Sequence, residues 1–216
     1  MIQKEKITTI LDEKYVKVYD LEYENGKHYL NASRRTLDEL VAVKSDEEVK
    51  TMLPDAVSCF VIVKTPHDEP RLLLNYEYRY PAGQFLLSVP AGLIDPQDKN
   101  KENPLAATAI REIREETGLD IKSTDKVYVV DSFVYSTPGM TDESNGLVCA
   151  VLNLDDLSQL SQDGAEGSEC FDGFELVTKE KAKQLLKEGR DKVGNFYSVY
   201  TWASLMYFIS DLWKDE

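Results

Sequence analysis

Alternation of apolar and polar residues is first clear over 14–34, where YVKVYDLEY and KHYLNAS flank Asn25-Gly26. That spacing predicts two strands joined by a tight hairpin. Residues 36–54 are polar with scattered apolar positions and a closing Pro54, and read as a strand or loop leading onward. DAVSCFVIVK and RLLLNYEYRY, joined by the turn-rich TPHDEP, are near-continuous apolar runs and read as core strands, with FLLSVPAG as a third. The period then becomes helical. Asn103 can cap a helix, Pro104 suits its first position and Gly118 its left-handed end, so a helix of about 13 to 15 residues is bounded. KVYVVDSFVYSTPGMTDESNGLVCAVLNL predicts two more strands around STPGMTDES, and Ser158 to Asp172, rich in Gly, Ser and acid, reads as a mobile loop over a site. FELVTKEKAKQLLKEG predicts a strand running into a short helix ending at Gly189. The apolar NFYSVYTWASLMYFISDLW is interrupted by Asp211 and hydroxyls, so it reads as a buried closing helix rather than a membrane span, with Trp202 and Trp213 in the core or on a dimer surface.

Composition narrows the classes. With 216 residues and 42% apolar content, one domain with a small extension can bury a proper core, and the expected division is 1–50 and 51–216. A net charge of −14 argues against nucleic-acid or anionic-membrane partners, so an anionic substrate must be met locally by metal ions and placed arginines. The start, MIQKEKITTI, has no basic region followed by an apolar run, and a cytoplasmic location is expected. Cys59, Cys149 and Cys170 lack metal-ligand spacing and read as reduced packing residues.

The chemistry gathers on the helix. At 100° per residue Ala106, Ala109, Ile110 and Ile113 form one stripe, and Glu112, Glu115 and Glu116 share another face about a quarter turn away. Like charges so placed destabilise a helix by a few tenths of a kcal/mol per pair, roughly. A hard divalent cation reverses that sign, because it takes carboxylate and phosphate oxygens as ligands. The plainer alternative is a solvated acidic face with Arg111 paired to Glu115.

REIREETGL, preceded by PAGLID, resembles the Nudix hydrolase box: a Gly, five residues, a Glu, seven residues, then Arg-Glu-aliphatic-x-Glu-Glu-x-Gly-aliphatic. Gly92 and Arg111 through Leu119 match, but about five extra residues intervene, and counting back from Arg111 places Asn103 where the family has its upstream Glu, with Glu102 beside it. The inserted DPQDKNKE segment is expected to loop outward. The resemblance implies an α+β Nudix fold, a mixed sheet sandwiched between helices with an N-terminal β-hairpin extension. It further implies Mg²⁺, with Mn²⁺ as a substitute, held by Ala91, Glu112, Glu115 and Glu116.

Within the family the chain resembles the ADP-ribose pyrophosphatases. Glu-Tyr-Arg-Tyr-Pro at 77–81 is similar to their Q-Y-R-x-P strand, which implies that Arg79 contacts the substrate diphosphate; a sheet-edge salt bridge is the alternative. Pro138, Gly139 and Glu143 match their S-P-G-x-x-x-E segment, while Tyr15 and Tyr29 match rings that stack on adenine and Arg34 a basic residue near the ligand. Ordinary strand packing is the alternative for the tyrosines. Glu166 or Glu169 corresponds to the loop glutamate that helps activate water. The implied reaction is hydrolysis of ADP-ribose, or another nucleoside diphosphate sugar, by a homodimer. A Nudix-fold module that senses the nucleotide without cutting it is the rival from a different class.

Overall fold

A computed structural model of the chain describes residues 2–165 and 167–215. Its strands are β1 (Ile7–Asp12), β2 (Lys17–Glu24), β3 (Lys27–Ser33), β4 (Ala56–Lys64), β5 (Arg71–Arg79), β6 (Gln84–Ser88), β7 (Ala91–Leu93), β8 (Lys126–Tyr135), β9 (Ser144–Asn153) and β10 (Phe171–Val177). Its α-helices are α1 (Asp46–Thr51), α2 (Pro96–Lys99), α3 (Pro104–Thr117), α4 (Lys179–Glu188) and α5 (Val199–Ser210). The chain forms two compact units, Met1–Ala56 with Ser132–Gly146, and Val57–Asp131 with Leu147–Glu216.

In the first unit β1, β2 and β3 form an antiparallel sheet. The β2–β3 hairpin turns at Gly26, whose φ of 70° is the left-handed conformation that the Asn-Gly pair predicts. Strand β1 was not legible in the sequence, since ITTILD lies almost wholly exposed and so carries no one-sided pattern. Residues 36–54 are not a strand: they form two 3₁₀ turns and α1, which Ser45 and Glu48 open with a capping box. The S-x-x-E signature was the signal for it. Tyr19, Leu21, Leu40 and Val43 make a small core of this unit's own.

The order β10-β5-β4-β9-β8, with β6 on β5 and β7 on β4, makes a seven-stranded sheet. Within the second unit both faces of its central strands are covered, which explains their continuous apolar runs. Val57, Cys59, Val61 and Val63 of β4 and Leu73 of β5 pack with Leu105, Ala109 and Ile113 of α3. Phe60, Ile62, Leu72, Leu74 and Tyr76 point the opposite way and pack with Ala182 and Leu185 of α4, Leu205 and Phe208 of α5, and Trp213. The fold is α+β, with helices on both faces of the sheet, as the sequence implied. Of the two tryptophans, Trp213 is core and Trp202 half exposed. Cys59 and Cys149 are buried free thiols, but Cys170 is exposed and is not a packing residue. Among the described residues no helix is long and apolar enough to cross a membrane.

Candidate active site

Helix α3 runs over the expected length. Asn103 Oδ1 accepts from the Ala106 N–H at 3.1 Å, Pro104 opens the helix, and Gly118, with φ 72°, closes it by donating its N–H to the Arg114 carbonyl. Its buried face differs from the expected stripe. Leu105, Thr108, Ala109, Glu112, Ile113 and Glu116 are buried while Ile110 is exposed, so two of the three carboxylates lie on the packed side instead of a separate acidic face. Sheet and loop polar groups can meet carboxylates there, which a helical-wheel projection cannot show.

Glu116 is held from both sides: Oε1 accepts the Ala91 N–H at 3.0 Å and Oε2 accepts Asn75 Nδ2. Burial pushes its carboxyl well above the usual range, and the negative charges of Glu77, Glu112 and Glu169 add to this. Glu112 is raised to about 7, again chiefly by burial, although Arg111 opposes the shift. A Cβ at position 92 would collide with the Glu112 carboxylate, so Gly92 is what lets that side chain turn in beneath β7. Glu115 is the most exposed of the three, its side chain about a third accessible.

Arg111 organises the group. Its Nη1 donates to Glu112 Oε1 at 2.7 Å and Glu115 Oε2 at 2.9 Å, its Nη2 to the Leu93 carbonyl, and its Nε to Asp98 Oδ2 at 3.0 Å. Asp98 lies in α2, is buried, and also accepts from the Thr108 hydroxyl. The segment before the helix therefore does not loop outward: its first half is a turn of helix locked to Arg111.

Arg79 stands at the exposed end of β5 with Nη2 on Glu77 Oε2 at 2.5 Å, so the sheet-edge ion pair is present. Glu77 is buried on the same strand face as Asn75. Of the two loop glutamates, Glu169 lies within electrostatic reach of Glu77, Glu112 and Glu116, and Glu166 lies outside the described residues. The loop carrying them is tied to the end of α3, because Ser161 donates its N–H to the Thr117 carbonyl and Gly164 packs where a Cβ would strike the Glu115 backbone.

The remaining predicted residues lie in the first unit. The Tyr29 hydroxyl donates to the Gly139 carbonyl at 2.5 Å, and Arg34 Nε pairs with Glu143 Oε1 at 2.7 Å. Tyr29 and Pro138 line a cavity of about 580 Å³ together with Tyr23, Tyr135 and Asp142. Tyr15 is apart from them, exposed in the β1–β2 turn with Lys14 Nζ over its ring.

A family model for the NUDIX domain matches residues 52–198. The chain belongs to the Nudix domain family. It is 34% identical over 101 residues to an uncharacterized Nudix hydrolase of Schizosaccharomyces pombe, covering 46% of this chain and 44% of that one. It is 28% identical over 170 residues to the ADP-ribose pyrophosphatase of Bacillus subtilis, covering 79% and 74%. The chain thus spans under half of the yeast relative, and likewise 45% of a putative nudix hydrolase of Caenorhabditis elegans. Among solved structures, an ADP compounds hydrolase superposes with a TM-score of 0.57 at 18% identity, over 100% of this chain and 96% of that one, which is a likeness of fold.

With the geometry in hand the Nudix box reads differently. Counting five residues on from Gly92 lands on Asp98, the acid that holds Arg111; counting back from Arg111 had landed on the cap, Asn103. The extra residues therefore follow position 98, over Lys99 at the end of α2 and the 100–103 connection to α3. Among the described residues no three acidic, His or Cys side chains are gathered in cation-binding geometry, and Arg111 takes oxygens of both Glu112 and Glu115. The donor set nevertheless fits a hard divalent ion. It consists of carboxylate and carbonyl oxygens, two of its carboxylates are buried at a cost in their charged forms, and the buried Asn75 Oδ1 beside them has no hydrogen-bond partner.

Proposed function

We propose that this protein hydrolyses the diphosphate linkage of ADP-ribose, or of a closely related nucleoside diphosphate sugar, to a nucleoside monophosphate and a sugar phosphate. The observation that carries the reading is the set of three carboxylates on α3, two of them buried and strained toward protonation, next to a tethered acidic loop. Selection for folding alone would favour apolar residues at positions 112 and 116, because burying a carboxylate is costly. The likeness to an ADP-ribose pyrophosphatase over most of both chains supports the choice of substrate.

Glu112, Glu115, Glu116 and the Ala91 carbonyl are the groups that would hold Mg²⁺ or Mn²⁺. When bound, the cation neutralises the diphosphate and activates water. The protein's own share is positional. Asn75 and the Ala91 N–H aim Glu116, Gly92 admits Glu112, and Asp98 fixes Arg111. Glu169 is the carboxylate proposed to take the proton from the attacking water, since its charge already bears on the box glutamates. Arg79 is proposed for the diphosphate, and its ion pair with Glu77 would hold the guanidinium in place until substrate competes for it. In the first unit Tyr29 and Pro138 are proposed for the base, with the Arg34–Glu143 pair fixing the Pro138-Gly139 loop beside them. A homodimer is part of the same proposal and rests on the resemblance; a cytoplasmic location is proposed with it.

Incubation with ADP-ribose and Mg²⁺, followed by chromatography, should yield AMP and ribose 5-phosphate in equal amounts. Tight binding of ADP-ribose with no AMP formed would replace the hydrolase with a nucleotide-sensing module.

A further inference from the structure

Position 75 is an unusual place for an amide. It lies on the central strand β5 between Leu72–Leu74 and Tyr76, it is fully buried, and its neighbours on the same face are the core residue Leu73 and the buried Glu77. A β-branched or aliphatic residue would suit the strand better, and a polar side chain there is tolerated only if its hydrogen bonds are met. Half of them are. Nδ2 donates to Glu116 Oε2 at 2.5 Å, opposite the Ala91 N–H on Oε1, while Oδ1 is buried with no partner among the described residues. An amide with one satisfied end and one orphaned acceptor, facing a buried carboxylate, is a site lacking an O–H or N–H donor.

We propose that Asn75 is a positioning residue of the divalent-cation site: Nδ2 clamps Glu116, and Oδ1 is the acceptor for a water brought in on the cation. This rests on the cation-binding part of the proposed function. A residue of this kind sets metal affinity without being a ligand, and its loss weakens binding by roughly 10–100-fold.

The test uses Mn²⁺ alone, titrated into the metal-free full chain and read by electron paramagnetic resonance. Asn75→Leu, which keeps the volume and removes both hydrogen-bonding ends, should weaken Mn²⁺ binding at least tenfold while circular dichroism stays that of the wild type. A folded Asn75→Leu that binds Mn²⁺ within threefold of wild type overturns the proposal, because a residue needed only for packing would shift melting and leave affinity alone. Asn75→Asp keeps the acceptors and loses the N–H. Without that N–H the clamp on Glu116 is lost, so the Mn²⁺-induced rise in melting temperature should be smaller than in wild type, because weaker binding stabilises less. Should Asn75→Leu fail to fold, that rise decides the matter, and one equal to or larger than wild type overturns the assignment. No substrate enters these measurements. A protein whose Mn²⁺ affinity depends on Asn75 yet leaves ADP-ribose intact would overturn the proposed reaction and leave this inference standing.

Discussion

Replacing Asp98 by Ala tests the bracing of the Nudix box. The carboxylate is buried, accepts Arg111 Nε at 3.0 Å and accepts the fully buried Thr108 hydroxyl at 3.3 Å. A hydrogen bond to a charged group contributes about 1.5–3 kcal/mol, and a buried hydroxyl left without an acceptor costs about 1 kcal/mol more. Arg111 keeps Glu112, Glu115 and the Leu93 carbonyl, so it is not stranded as an unpaired charge, and the loss stays below the ~3–5 kcal/mol of a fully broken buried pair. The sum is about 3 kcal/mol. For a chain of this size that lowers the melting temperature by roughly 6–12 °C. Scanning calorimetry at neutral pH measures it directly. Asp98→Asn, which keeps an acceptor oxygen, should lose about half as much. Deleting Gln97 to Lys101 removes Asp98 as well and should be at least as damaging as Asp98→Ala, where an outward loop would have been dispensable. An Asp98→Ala protein melting within about 1 °C of wild type would refute the bracing role.

Three further outcomes follow from the same geometry. Gly92→Ala places a methyl group in the Glu112 carboxylate and should cut turnover at least tenfold, about 1.4 kcal/mol in the barrier, with an unchanged circular dichroism spectrum; wild-type turnover would show that Glu112 need not sit beneath β7. Glu112, raised to about 7 from an ordinary 4.5, binds its proton more tightly when folded, so its contribution is full below about pH 4.5 and is lost as pH rises through 7, by an amount on the order of 3 kcal/mol, with Glu116 and Glu77 shifted in the same direction. Melting in EDTA should therefore fall from pH 5 to pH 8 and Mg²⁺ should raise it more at pH 8, whereas equal Mg²⁺-induced shifts at both would contradict the carboxylate site. Tyr29→Ala should raise the Michaelis constant for ADP-ribose by about 1–3 kcal/mol, while Tyr15→Ala should change it little; equal effects on a ribose-diphosphate analogue without a base would make Tyr29 structural.

Much of the framework was legible because local rules and tertiary packing agree. The Asn103-Pro104 start and Gly118 stop of α3, the Asn25-Gly26 turn and the runs of β4 and β5 each carry their own signal. What escaped was set by long-range contacts. Nothing local distinguishes Asn75 or Glu77 within an apolar strand, yet the pairing of β5 with its neighbours turns both toward α3. Asp98 was reachable by counting forward from Gly92, but its partner lies 13 residues on, across a turn whose path the sequence does not give. Tyr15 and Tyr29 look alike in composition, and only the register of β2 against β3 puts Tyr29 opposite Leu21 and leaves Tyr15 outside the strands.

The most direct test of the account is the release of AMP from ADP-ribose by wild type, Glu115→Gln and Glu116→Gln, each with saturating Mg²⁺ and with EDTA. Wild type should release AMP only with Mg²⁺. Both variants should turn over at least about a hundredfold more slowly, some 2.7 kcal/mol in the barrier, while keeping the circular dichroism spectrum of wild type; melting should fall modestly, because Gln gives up the Arg111 ion pair at 115 and one acceptor oxygen at 116. Wild-type-like turnover in both variants, or AMP released equally in EDTA, would contradict the assignment of catalysis to the α3 carboxylates.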